Sequence, residues 1–273
     1  MFGTTFLLYL YRFVFVRRRF YRLNLLVFRF ALRGIGILNY ESAHLSGEKW
    51  LLERFCRNKL KTVIDVGANV GEYSKSVIEN NTKVRLFSFE PHPVTFEVLQ
   101  SNAVALGYTA MNLAVGVEKG FVELFDHATT DGSQHASIHK SVIEDIHQSK
   151  STSHRVAITT LDAFMGETGL ARVDLLKIDT EGNELQVLSG AKYALAAGRI
   201  ELIHFEFNVC NVISRAFMKD FYDLLSNYIF FRMLPDGVVR LPAYGVDVAD
   251  LEIFAYQNIL AIHEHSPHLR LAR

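Results

Sequence analysis

The chain has 273 residues, 49% hydrophobic and 21% charged, enough apolar material for one large α/β domain, which excludes a mainly disordered chain. Its two cysteines, Cys56 and Cys210, stand alone, so a disulfide scaffold is excluded and a reducing compartment fits. The formal charge is zero but unevenly placed: seven arginines and no acid precede Glu41, giving +7, while the other 22 basic residues (29 less 7) face 29 acids, giving −7. The chain therefore divides into a basic N-terminal segment, 1–40, and a catalytic-sized domain, 41–273, with different partners expected for the two.

The leader comes first. Phe2 to Val16 is nearly all apolar, yet at about 1.5 Å per residue it falls short of the roughly 30 Å hydrocarbon core, so a clean transmembrane span is not expected. Arg17-Arg18-Arg19 follows the run rather than preceding it, and no A-x-A site appears, unlike a secretory signal. On a helical wheel every arginine except Arg17 falls within an arc of about 120°, with Phe6, Leu7, Phe13, Leu23 and Val27 on other faces. Two readings stand: an amphipathic helix over 1–33 lying in an anionic membrane surface, or a helix docked on the acidic body. A nucleic-acid arm would leave the apolar residues without a role, so no nucleic-acid partner is expected. The location expected is cytoplasmic, peripheral at the inner face of a membrane if the leader binds one.

Glu41 to Lys61 reads as a helical lead-in. The pattern then alternates: strand 62–66, helix 71–78, strand 84–89, helix 94–106 and strand 108–113. This rhythm predicts a parallel sheet with helices on both faces. It lapses between Phe121 and Thr159, where strands are expected at 121–125 and 156–160 around an exposed loop from Asp131 to Ser137. It resumes with strand 173–178, helix 184–197, strand 200–207 and helix 216–226. Strands at 228–233, 238–241 and 258–263, with an Asp236-Gly237 turn, make a β-rich end.

Four segments carry chemistry. Asp65-Val66-Gly67-Ala68-Asn69-Val70-Gly71 closes a strand and opens a helix, and its glycines allow a tight turn and close backbone approach. It is not the dinucleotide GxGxxG, and Asp65 would repel phosphate but attract an ammonium or sulfonium. Phe89-Glu90-Pro91 puts an acid at the end of the second strand, where it can accept both hydroxyls of a ribose. Lys177-Ile178-Asp179-Thr180-Glu181-Gly182 and Phe205-Glu206 put further acids at strand ends. Buried acids are costly unless paired or used, so Asp179, Glu181 and Glu206 are expected to line a polar cleft. There they could steady a cationic methyl donor, deprotonate a hydroxyl or hold a divalent metal; helix capping by Asp179 and Thr180 is the plainer alternative.

In order and spacing, these segments resemble the FkbM family of S-adenosylmethionine-dependent methyltransferases over about residues 40–262. The resemblance implies a class I, Rossmann-like methyltransferase fold: a mostly parallel seven-stranded sheet with one antiparallel strand near the C-terminus, here preceded by the amphipathic helix. It also implies S-adenosylmethionine as cofactor and O-methylation, often of a sugar hydroxyl in a glycan, glycolipid or secondary metabolite. By position, Asp65, Gly67, Asn69 and Gly71 would hold the methionine part of the donor and Glu90 the ribose. Asn112, Ala114 and Val115 would flank adenine, and Asp179 and Glu181 would sit near sulfonium and acceptor. Asp179 or Glu206 is expected as general base, with His135, in the Ser133–Ser137 loop, as third choice. No His/Cys ligand set stands out, so no metal is expected. Two other functions stay open: a nicotinamide-dependent oxidoreductase, and a membrane-bound scaffold of the same fold without catalysis.

Overall fold

The computed structural model describes residues 2–57, 59–130, 132–246 and 248–272; Asp131 of the expected loop and Asn58 of the lead-in lie outside them. The leader forms two helices, α1 (Phe2–Phe15) and α2 (Tyr21–Gly34), where a single one was expected. The chain is extended at Arg17 (φ −139°, ψ 146°), at the head of three successive cations that repel one another. Asn24 supports the break: its amide donates to the Phe15 carbonyl at 3.0 Å, and its oxygen accepts from the Tyr11 hydroxyl at 2.6 Å. That supplies a partner for a helix-end carbonyl. The arginine arc drawn on one wheel is thus divided between two axes.

Residues 35–40 join the leader to the body. A Cβ at Gly36 (φ +88°) would come within 2.7 Å of the Met233 carbonyl. Ile37 is fully buried and bridges to Gln257, and the Leu38 N–H donates to the Tyr256 carbonyl at 2.7 Å. The lead-in is a single turn, α3 (Glu48–Leu51), running into a wider π turn over Leu52–Cys56.

The strands are β1 (Thr62–Val66), β2 (Arg85–Phe89), β3 (Thr109–Met111), β4 (Ala114–Val115), β5 (Gly120–His127), β6 (Ser151–Thr159), β7 (Val173–Ile178), β8 (Ile200–Phe207), β9 (Tyr228–Leu234), β10 (Gly237–Arg240) and β11 (Gln257–His263). The main sheet runs β10-β9-β11-β8-β7-β1-β2-β3. Its β3-β2-β1-β7-β8 part is parallel, and β11 is antiparallel to both β8 and β9. The seven strands expected are joined by an eighth, β10, added at the edge by a hairpin from β9.

Period-2 alternation buries both faces: Val63, Leu175 and Leu202 pack on one side, Ile64, Leu176 and Ile203 on the other. Helices α4 (Glu72–Asn80) and α5 (Pro93–Leu106) follow β1 and β2, and α6 (Leu161–Glu167) precedes β7. The helix expected over 184–197 is two, α7 (Glu184–Ser189) and α8 (Lys192–Ala196). They part at Gly190, where any side chain would collide with the Gly116 carbonyl. After β8 come α9 (Cys210–Ser214) and α10 (Met218–Leu224), and α11 (Val248–Leu251) precedes β11.

The irregular middle is a second sheet, β4-β6-β5, with β4 parallel and β5 antiparallel to β6. It was not legible as a sheet because β4 is only two residues long. The chain leaves β1 toward β2 and β3, then returns to β7 on the other side of β1. This reversal opens a crevice at the carboxyl ends of the strands.

Candidate active site

A cavity of about 830 Å³ lies in that crevice. The turn after β1 forms one wall. Gly67 (φ +78°) has no room for a side chain, since a Cβ would strike the Asp179 carbonyl. Its N–H and that of Ala68 donate to the Phe89 carbonyl at 3.0 and 2.9 Å, tying the β1 and β2 tips together. Asn69 is left-handed although not glycine (φ +49°), a strained conformation of the kind retained at functional turns.

Glu90 locks this turn. It is 6% exposed and accepts the Asn69 N–H on one oxygen (2.9 Å) and the His92 N–H on the other (2.8 Å). Burial outweighs these bonds and pushes its carboxyl up to about 7. Each oxygen keeps a lone pair for a further donor, such as a ribose hydroxyl.

Three expected donor contacts do not line the cavity. Asp65 is fully buried beneath it, accepting from the Ser74 hydroxyl at 2.7 Å and pairing with Lys177 Nζ at 3.5 Å. Gly71 sits behind the wall, where a Cβ would lie 2.6 Å from the Tyr108 hydroxyl. Asn112 stays outside, donating to the Glu90 and Pro91 carbonyls at 2.9 and 3.0 Å. These three shape the site from behind. Gly67, Asn69, Glu90, Ala114, Val115, Asp179, Glu181, Glu206 and His135 all line it.

Lys177 is the residue the sequence reading left without a role. β1–β7 register sets it opposite Asp65, and period-2 alternation puts it on the same face as Asp179, 3.2 Å away. Burial works against its ammonium, but Asp179, Asp65, Glu48 and Glu206 outweigh that and hold its pKa above the ordinary lysine value. Glu206 has the opposite balance: burial, then Asp179, Glu181 and Glu48, push its carboxyl well above the ordinary range. Glu184 was also missed. Its Oε1 accepts the Thr180 and Gly182 N–H groups and the Thr180 hydroxyl at 3.0–3.1 Å, fixing the turn that presents Glu181 in a left-handed conformation (φ +51°). The signal was an acid in the first turn of the helix after Asp179-Thr180-Glu181.

The second sheet lowers a loop over the cavity. Asp126 anchors it, accepting the Gly132 and Ser133 N–H groups at 2.8 Å each as well as the Ser133 hydroxyl, with His92 Nε2 3.5 Å away. The Asn69 amide reaches the Ser133 carbonyl at 3.4 Å, and the Ser137 hydroxyl donates to the Glu181 carbonyl at 2.8 Å. His135 then meets Glu181, Nδ1 to Oε1, at 3.0 Å. That bond leads the effects that raise the imidazole above its ordinary pKa. His147 stacks on His135 at 4.6 Å; burial first, then His135, hold its own pKa down. The far wall comes from Leu38, Tyr40, Glu48, Val209, Phe254 and Tyr256.

A reversing parallel sheet, a glycine turn after its first strand and an acid at the tip of the second define a Rossmann-like nucleoside-binding enzyme class. The Methyltransferase FkbM domain model matches residues 65–228, more than half of the chain, which therefore belongs to that family. Three curated relatives are similar to it. One is 31-O-demethyl-FK506 methyltransferase FkbM of Streptomyces tacrolimicus, 29% identical over 157 residues, 48% of this chain and 60% of that one. Another is hexuronic acid methyltransferase AglP of Haloferax volcanii, 28% identical over 147 residues, 53% and 56% of the two chains. The third is 2-O-methyltransferase NoeI of Sinorhizobium fredii, 24% identical over 188 residues, 64% and 75%. The match spans under two thirds of the length of the first two.

The family implies S-adenosylmethionine as cofactor, and the residues present fit it. Glu90 offers carboxylate acceptors at a bare glycine turn. Asn183, 3% exposed, donates to the Val115 carbonyl at 3.1 Å, and its Oδ1 has no partner among the described residues. That leaves an acceptor beside Val115 for an exocyclic amine.

Proposed function

We propose that this chain is an S-adenosylmethionine-dependent O-methyltransferase acting on a hydroxyl of a small molecule or glycan. One observation carries the reading: acids from three strand tips, Glu90, Asp179 and Glu206, line one cavity together with a histidine already hydrogen-bonded to a carboxylate. When bound, S-adenosylmethionine supplies a methyl carbon on a positively charged sulfur, which keeps the bonding electrons as the carbon passes to the acceptor oxygen. Glu90 binds the ribose hydroxyls, while Ala114, Val115 and Asn183 take the adenine. Asp179, balanced by Lys177, and Glu206 border the reacting centre.

His135 is the general base in this account. Glu181 accepts from its Nδ1, which leaves Nε2 to take the hydroxyl proton as the new bond forms. Asp179 is less suited, because one of its oxygens already faces Lys177. Beyond this acid–base step, the chain's main contribution is alignment of the two reactants. The arginine-rich leader is read as resting against the inner face of an anionic membrane. In the test, candidate glycans and lipids from the host are incubated with the donor and the protein, then read by mass spectrometry for the gain of one CH2. No gain in any acceptor, with S-adenosylhomocysteine still bound, would favour the non-catalytic scaffold.

A further inference from the structure

The leader and the cavity share an edge. Before Glu41 the charge is +7 with no acid, and the apolar side chains of α1 and α2 are open: Phe6, Leu7, Phe13, Leu26, Val27 and Phe30 are each 48–66% exposed. Within α2 only Leu32 is buried. An apolar face of this size, laced with arginine, suits the boundary between acyl chains and anionic head groups. Among the described residues no helix is long and apolar enough to cross a membrane, so the pair would lie along the surface.

The joint to the body is stiff. The Asn39 amide donates to the Arg33 carbonyl at 3.0 Å, closing the end of α2, and Arg33 pairs with Glu41. Gly36 is pressed on Met233, Ile37 bridges Gln257, and Leu38 is bonded to Tyr256. Leu38 and Tyr40 then line the cavity. From Gly34 to Leu38 is four residues, a span of at most about 14 Å. The rim is itself apolar and open: Tyr40 is 61% exposed and packs edge-on to Tyr256, and Val209 is 43% exposed.

Resting on the methyltransferase reading of this cavity, we propose that its acceptor is an amphiphile embedded in an anionic lipid surface. The leader lies in that surface, the acceptor's tail stays in the acyl layer, and its hydroxylated head enters past Tyr40 and Val209. A second copy's acidic body is the other occupant the arginines could meet.

The test uses the full chain. Sedimentation with phosphatidylglycerol-containing vesicles should bind the protein at least tenfold more tightly than phosphatidylcholine vesicles. Leu7→Asp with Phe13→Asp, and separately Arg18→Glu with Arg22→Glu, should each lose that preference while S-adenosylhomocysteine affinity stays within twofold. With a tritiated-methyl donor, host lipid extract in vesicles should take up at least tenfold more label than the water-soluble head groups hydrolysed from it. Equal labelling of the two, label in neither, no vesicle binding, or self-association that covers α1 would overturn the proposal. Loss of S-adenosylhomocysteine binding by the unaltered chain would instead overturn the underlying methyltransferase reading.

Discussion

Glu90→Gln tests the role in nucleoside binding proposed for that carboxylate. The carboxylate accepts from Asn69 and His92 on separate oxygens and is read as accepting from the ribose as well. An amide of the same shape replaces one acceptor with an NH2 group facing a backbone N–H. Hydrogen bonds to charged groups contribute about 1.5–3 kcal/mol, so S-adenosylhomocysteine should bind roughly 10- to 150-fold more weakly. The pH dependence is a second readout. Burial holds the ligand-free Glu90 carboxyl at about 7, so the ionised fraction falls about tenfold from pH 8 to pH 6. Affinity should fall with it in the parent chain, and Glu90→Gln should lose that component. Glu48 and Glu184 are also pushed to about 7 by burial, so the difference between parent and variant is the quantity that reports Glu90. Isothermal titration calorimetry at both pH values measures it, with the thermal midpoint confirming a folded variant. Binding within twofold of the parent, or an unchanged pH slope, would refute the assignment.

Other outcomes follow from the same geometry. Gly67→Ala should abolish donor binding and lower the thermal midpoint by roughly 5 °C, because a left-handed side chain costs about 1–2 kcal/mol before its collision with Asp179. Lys177→Met leaves Asp65 and Asp179 without their buried cation, a loss of about 3–5 kcal/mol that differential scanning calorimetry should show as a fall of roughly 6–20 °C. His135→Asn should lower kcat about 10²-fold or more with donor affinity intact. Since Glu181 raises the imidazole, the acid limb of the kcat profile should lie above the ordinary histidine value, and Glu181→Gln should move it down. The sign follows from the base acting neutral: activity disappears as pH falls through the raised value.

Much of the site was legible because β-branched runs ended in acids. Thr62-Val63-Ile64-Asp65-Val66 announced a doubly buried strand, and the tip acids Glu90, Asp179 and Glu206 fell where a parallel sheet gathers its ends. Sheet register was not legible. Only the Asp65–Lys177 pairing shows why Asp65 points beneath the cavity rather than into it. Asp126 gave no signal either, since two of the groups it accepts, the Gly132 and Ser133 N–H groups, belong to the backbone of a loop and another, the Ser133 hydroxyl, comes from the same loop. The break between α1 and α2 turns on Asn24 reaching Phe15, a contact that helical periodicity does not encode.

A crystal structure with S-adenosylhomocysteine bound would locate the nucleoside itself. Its ribose hydroxyls should lie within hydrogen-bond distance of Glu90, its adenine beside Val115 and Asn183, and its sulfur toward Asp179. Nucleoside density elsewhere on the molecule, or Glu90 turned away from a bound ribose, would contradict that placement.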